Sequence, residues 1–190
     1  MNPTWPAWQD FWSFISDHRS ITSWVAKAFI AAPLIDIILG FGPPWPTGTA
    51  VSVLTSLVEA LVLMGSFMFW KRVTWRRSTF LTGIAFAILL FLIYILLFDL
   101  FVYSAPSEEA REVKGFRYRG DIESMIYMGA TERELLQSGG YDPLMVWAPW
   151  TVYTMRVVVL ISWLSGFVAL AITMSSFVLS QRRAVVLGEC

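Results

Sequence analysis

The stretch FLTGIAFAILLFLIYILLFDLFVY, residues 80–103, decides the class of fold. It runs for 24 residues with a single charged side chain, that of Asp99. The hydrocarbon core of a bilayer is about 30 Å thick, so a helix that crosses it needs roughly 20 mostly apolar residues. The stretch is therefore predicted to be a transmembrane helix.

Three further segments have the same character: residues 21–41, 50–70 and 149–179. The breaker GPPWP at 42–46 separates the first two of them. Hydrophobic residues make up 56% of the 190-residue chain and charged residues 15%, far from the average of soluble domains. The predicted fold is an all-α integral membrane protein, residues 1–190, in which four transmembrane helices form one bundle.

Residues 1–20 precede the first of these helices and carry a different pattern. Trp5, Trp8, Trp12 and Ile15 recur at helical spacing, with polar residues elsewhere around the helix. A helix with one aromatic, apolar face and one polar face is typical of the membrane interface. We therefore predict an N-terminal interfacial amphipathic helix, which anchors the protein or, alternatively, docks a partner.

The connection between the third and fourth helices, residues 104–146, is too long for a structureless link. Thr131 and Glu134 have the spacing of a capping box, with Gly139 and Gly140 at the end of that helix. A helix start at Ser107 and a strand over 113–120 are also predicted from polar residues and from alternation. This segment, called the cap below, is predicted to be a small structured extramembrane unit.

Basic residues close to the spans predict the orientation. The connection KRVTWRRS at 71–78 has four of them, the C-terminal tail has Arg182 and Arg183, and Arg19 precedes the first span. All three segments fall on one side of a four-span protein. Both termini are therefore predicted to lie in the cytoplasm, with the cap outside, in a plasma membrane or a bacterial inner membrane.

Ionisable side chains within a membrane are costly and are candidates for function. Asp36, Asp99 and Arg156 lie on three different helices at a similar predicted depth, within roughly 8 Å of the outer boundary by helical rise. One interpretation is an ion-pair cluster of these three residues. The alternative is that each side chain reaches the interface independently.

Glu59 is predicted to lie about 13 Å below the outer boundary, too deep to reach water easily. Its nearest carboxylate in depth is that of Asp36, and burial favours a neutral form. We expect a protonated Glu59 that is hydrogen-bonded within the bundle. The alternative is a site for protons or cations that uses Glu59 and Asp36.

Two helices carry stripes of small and hydroxylated residues, which allow close helix packing within or between protomers. A pore lining would use the same residue types. The first stripe shares a face of the second span with Glu59 and consists of Ser52, Ser56 and Ser66. The second lies on the fourth span and consists of Ser162, Gly166, Ala169, Thr173 and Ser176.

Several classes of function are excluded by composition. A net charge of zero argues against a nucleic-acid partner. One histidine and one cysteine, His18 and Cys190, give no ligand set for zinc or haem, and no catalytic or nucleotide-binding motif occurs. No metal or cofactor is therefore predicted.

The sequence favours a non-enzymatic integral membrane subunit. It would act by helix–helix association, in a homo-oligomer or with a partner membrane subunit. The alternative is an oligomeric channel for ions or protons that uses Glu59 and Asp36. A membrane-embedded enzyme ranks third, since it would need a cofactor.

Overall fold

A computed structural model gives the fold and describes residues 7–17, 21–39, 42–46, 48–69, 77–104 and 111–187. Most of these residues are helical. In chain order the elements are α1 (Ala7–Ser16), α2 (Ile21–Leu39), α3 (Gly48–Phe69), α4 (Arg77–Phe101), β1 (Val102–Ser104), β2 (Arg111–Val113), α5 (Gly120–Tyr127), α6 (Glu132–Ser138), α7 (Pro143–Val146) and α8 (Pro149–Leu187).

Three helices are long and apolar enough to cross a membrane, over Thr49–Ser66 of α3, Phe80–Phe101 of α4 and Pro149–Phe177 of α8. These are the second, third and fourth of the predicted spans. In α2 the apolar stretch found among the described residues is Ser23–Leu34. The chain is thus a membrane-embedded protein with at least three helices of spanning length.

The helix ends differ from the predicted ends in two informative places. Helix α4 ends at Phe101, two residues early, because the next three residues pair with β2 as a short antiparallel ladder. Helix α8 has 39 residues, so at 1.5 Å per residue it is about 58 Å long and extends well beyond a bilayer core.

The long helices pack in a row. Helix α8 is central, with α4 on one side and α3 on the other. Helix α2 packs mainly on α3, and α1 packs on α3 and α2. Because α4 is the end of the row, only 11% of its apolar part is buried. A row of this kind leaves α4 surrounded mainly by lipid.

Polarity is inverted relative to a soluble protein. Most of the large exposed side chains on the long helices are Leu, Ile, Val and Phe, while several Ser and Thr side chains and Glu59 are buried. On α1, Trp12 is 63% exposed, whereas the amide oxygen of Gln9 is buried. Exposed apolar area on this scale fits hydrocarbon as the surrounding solvent.

The contact between α4 and α8 is built from aromatic rings. Tyr94 and Phe91 of α4 lie against Trp163 and Phe167 of α8, with ring centroids 5.0 to 5.1 Å apart. Val51 of α3 joins the same cluster of buried residues. Edge-to-face pairs contribute about 0.5–1.5 kcal/mol each beyond their buried area, so this cluster fixes the centre of the row.

The cap packs on the start of α8: Leu135, Leu136 and Val146 of the cap form one hydrophobic cluster with Trp147 and with Val152 of α8. The predicted capping box is confirmed, since the Thr131 hydroxyl accepts from Glu134 N and the Glu134 carboxylate accepts from Thr131 N. Helix α6 ends at Ser138, and Gly139 is its C-cap residue, in agreement with the predicted helix end at Gly139 and Gly140.

The strand predicted over 113–120 is wrong beyond Val113, the last residue of β2. The bond from Lys114 N to Phe101 O is the last one in register with this ladder, and residues 117–119 instead pair with the segment just before α8. There Ala148 N donates to Arg117 O, and Arg119 N donates to Val146 O. The predicted helix start at Ser107 lies outside the described residues.

Candidate functional site

The inner face of α3 carries a line of buried polar side chains, here called the polar seam: Ser52, Thr55, Ser56, Glu59 and Ser66. Their spacing follows the 3.6-residue helical period, which puts them on one side of the helix. Thr55 and Ser66 donate to carbonyl oxygens four residues back, those of Val51 and Val62, each at 2.8 Å. These hydroxyls are satisfied within their own helix.

One hydrogen bond joins the polar seam to α8. Trp163 Nε1 donates to Thr55 Oγ1 at 3.0 Å, with both groups buried. Neither residue was singled out from the sequence. The signal that could have found them is an indole N–H in the middle of an apolar span, because a buried tryptophan needs an acceptor.

Glu59 is the exception within the seam. Its side chain has no exposed surface, and neither carboxyl oxygen has a hydrogen-bond partner in the part of the chain that the structure describes. The hydroxyl oxygen of Ser56, one turn away, is also buried and also has no hydrogen-bond partner among the described residues. The expected hydrogen bond of Glu59 within the bundle is therefore absent among the described residues.

Such a carboxyl group is costly to bury. An isolated ionised carboxylate in a medium of low dielectric constant costs tens of kcal/mol, so the group must carry a proton or face a cation. A neutral carboxyl without a partner still loses its hydrogen bonds to water. Glu59 and Ser56 together place three buried oxygen atoms without a hydrogen-bond partner on α3, among the described residues.

Of the other candidate acids, Asp99 does not join Glu59. Asp99 is exposed on α4, two residues before the helix ends. Asp36 belongs to α2, but its side chain lies outside the described residues. Pairing of Asp36 with Glu59 or Arg156 stays a prediction.

Arg156 pairs with a carboxylate that the sequence analysis did not name. Its guanidinium donates to Glu112 Oε2 at 2.9 Å. The Arg156 side chain is 12% exposed and that of Glu112 is 36% exposed. Because Glu112 lies on β2, the bond ties the cap to α8. The expected pairing of Arg156 with Asp99 gives way to this one, since β2 brings a carboxylate to α8 and α4 presents Asp99 to the outside.

The small-residue stripe of α8 faces α4 within the same protomer. A Cβ added at Gly166 would lie 3.1 Å from the Phe91 ring, and one added at Gly83 would lie 2.6 Å from Thr173 Oγ1. Thr173 and Ser176 are buried, and Ser162 and Ala169 are partly buried. Ser162, Thr173 and Ser176 donate to carbonyl oxygens of α8 itself.

This close approach gives a direct prediction. Gly83→Ala should lower the stability by about 1–3 kcal/mol, because the new methyl group overlaps Thr173. Gly65→Ala is the matched control, since nothing lies within 4 Å of its added Cβ, and it should be neutral or slightly stabilising. Melting in detergent measures both; equal melting temperatures would contradict the close α4–α8 contact.

The cap presents two adjacent side chains to the outside, here called the outer tip. Tyr127, the last residue of α5, is 85% exposed and Met128 is 80% exposed. The rest of α5 is attached to the cap core through Ile122 and Ile126. The outer tip is therefore a fixed apolar projection on a folded unit.

Within the described ranges, no group of three or more His, Cys, Asp or Glu residues could hold a metal ion. No known protein family, curated protein or solved structure matches the chain. The geometry of the polar seam, the ion pair and the cap is thus the basis for inferring a function.

Proposed function

We propose that the protein is a non-enzymatic membrane subunit that works by association with another protein. In this proposal it crosses the membrane four times, with α1 at the interface and both termini in the cytoplasm. The membrane is a plasma membrane or a bacterial inner membrane. A fourth span by α2 is supported by its 19 residues, about 28 Å of helix, and by its packing along α3.

The observation that carries the proposal is the outer tip. Tyr127 and Met128 are at least four-fifths exposed on a unit that shares a hydrophobic cluster with α8 and is tied to it by the ion pair of Arg156 and Glu112. Tyrosine and methionine are enriched in protein interfaces, where they supply contact area. Both belong to the cap and lie outside the three helices of spanning length.

The packing of the membrane helices makes the cap a better contact surface for a partner than the helices themselves. The residues suited to close helix packing, Gly83, Gly166 and Thr173, are already used between α4 and α8 of one protomer. What remains on the outside of the row is bulky and aliphatic, which lipid covers equally well. Helix–helix association between protomers is therefore the weaker form of this proposal.

The test is the double variant Tyr127→Glu with Met128→Glu. Wild-type protein, extracted in mild detergent from its own membranes, should show in native mass spectrometry the mass of a second copy or of a different subunit. The double variant should lose that mass and keep its melting temperature, because both positions are exposed.

Gln137→Glu with Ser138→Glu is the matched control. It adds the same two charges at exposed positions on α6 and should retain the partner. A wild-type protein that carries no added mass, or a tip variant that keeps its partner, would contradict the proposal.

A second candidate function is the passage of protons or cations. The observation that favours it is Glu59, whose two oxygens are buried without a partner among the described residues, beside the hydroxyl of Ser56. Intramembrane carboxylates of this kind are typical of proton and ion pathways. Since Glu59 is enclosed within one protomer, the path would run inside the protomer and would not line the axis of an oligomer.

A further inference from the structure

The cap contains a cavity of about 410 Å³ between the β1–β2 hairpin and α6. Cavities that bind small molecules usually measure about 300–1,000 Å³. Six of the lining residues carry the inference: Tyr103, Ser104, Lys114, Glu132, Arg133 and Tyr141. None of them was a candidate in the sequence analysis.

The charges of the lining leave one positive charge uncompensated. Lys114 Nζ lies 2.6 Å from Glu132 Oε1, so these two charges balance. Arg133 has no ion pair with any residue in the described ranges. A group with one negative charge would therefore complement the cavity, and a guanidinium suits the oxygens of a phosphate.

The cavity lies beside the end of the apolar helix α4, where lipid headgroups would surround it if that end marks the hydrocarbon boundary. Lys114 N donates to the carbonyl oxygen of Phe101, the last residue of the apolar helix α4, which fixes Lys114 at the level where that helix ends. Tyr103 is two residues further along a strand, about 7 Å at 3.3 Å per residue. The headgroup layer on each side of a bilayer is about 5–7 Å thick.

One wall of the cavity is held in a strained conformation. Tyr141 has φ of +63°, a left-handed conformation that is rare for a bulky residue. Two hydrogen bonds hold it there, from Tyr141 N to Leu136 O at 2.8 Å and from Tyr103 Oη to Tyr141 O at 2.7 Å. Burial, followed by the nearby Glu112, raises the pKa of Tyr103, so its phenol keeps the proton that it donates. Strain of this kind is concentrated at ligand sites.

We propose that this cavity binds the phosphodiester group of a phospholipid headgroup. Arg133 supplies the uncompensated positive charge, while Lys114 stays paired with Glu132. The Ser104 hydroxyl, at the exposed end of β1, is a further donor. The headgroup enters from the bilayer surface, while its acyl chains remain beside α4. The proposal requires only that the protein lies in a membrane, so it is independent of the partner assigned to the outer tip.

The test is a titration of the delipidated, detergent-purified chain with a short-chain phosphatidylglycerol, followed by thermal shift and by native mass spectrometry. One equivalent should bind. Arg133→Gln should weaken binding about tenfold or more, the loss of one charge-assisted hydrogen bond. Arg133→Lys should recover part of the lost affinity, because lysine restores the positive charge but lacks the planar guanidinium group.

Arg117→Gln is the matched control: it removes the same charge from an exposed position in the cap that does not line the cavity. It should bind like the wild type. Diacylglycerol of the same chain length should not bind, and inorganic phosphate should bind far more weakly than the lipid.

Three results would overturn the proposal. Equal weakening in the Arg117 and Arg133 variants would indicate attraction by surface charge alone. Equal binding of inorganic phosphate would indicate a soluble anion in place of a lipid. A lipid affinity that Arg133→Gln leaves unchanged, with the melting temperature of the free protein unaltered, would remove the cavity from any role in lipid binding.

Discussion

Replacing Glu112 with alanine should destabilise the protein by about 3 kcal/mol, and more than replacing Arg156 does. The reason is the unequal burial of the two partners. Without Glu112, the guanidinium of Arg156 stays in a site that is only 12% exposed, where its Nε already lacks a partner among the described residues. Without Arg156, the Glu112 carboxylate can still reach water, since about a third of it is exposed.

Unfolding by SDS titration in mixed micelles measures this difference. Arg156→Ala should cost on the order of 1–2 kcal/mol, because a carboxylate with access to water avoids most of the desolvation penalty. The double variant Glu112→Leu with Arg156→Met removes both charges and should recover most of the loss.

The exposed pair of Arg119 and Asp121 is the control for a salt bridge that contributes little. Its side chains are 40% and 60% exposed, and Asp121→Ala should cost less than about 1 kcal/mol. Equal losses in Glu112→Ala and Asp121→Ala would mean that the cap is not held to α8 by a buried charge. A larger loss for Arg156→Ala than for Glu112→Ala would contradict the argument from burial.

The helices could be predicted from the sequence because their signal is local. A run such as residues 80–103 predicts a transmembrane helix without any tertiary information, because so many adjacent apolar side chains suit a lipid environment. The capping box at Thr131 and Glu134 is equally local, as both residues act within one helical turn. The end of α4 was missed because it depends on pairing with Arg111–Val113, which no local pattern of the helix contains.

The partners of buried polar groups could not be predicted in the same way. Arg156 and Glu112 are 44 residues apart, and depth alone suggested an aspartate on another helix. The bond from Trp163 to Thr55 joins residues 108 apart. Periodicity identifies the face on which a residue lies, but which helix packs against that face follows from tertiary contacts such as Gly166 against Phe91.

The largest increase in stability is expected from the replacement of Glu59. Glu59→Leu should raise the free energy of unfolding by about 1–3 kcal/mol, because it removes a buried carboxyl group that has no partner among the described residues. Leucine has a similar volume, so little cavity or overlap should result. Glu59→Gln should raise the free energy of unfolding by less than Glu59→Leu does, since the buried amide is also polar.

Thr55→Val, one turn away on the same face, is the control with the opposite expected sign. It deletes the acceptor of Trp163 Nε1, leaves that buried N–H without a partner and should cost about 1 kcal/mol. The same SDS titration measures all three variants. A loss of stability in Glu59→Leu comparable to that in Thr55→Val would mean that Glu59 has a structural partner, and this would contradict its reading as an orphan carboxyl group.

The same variants separate the two candidate functions. A stabilising substitution at a buried residue usually sacrifices activity where the strained or unsatisfied group serves a function. If Glu59 carries protons or cations, Glu59→Gln should abolish flux in proteoliposomes while the fold and the partner mass are retained. If the protein works by association, Glu59→Leu should be more stable, should keep its partner, and should show the same background flux as the wild type. We expect the second outcome, because the outer tip, not Glu59, is the group that a second protein can reach.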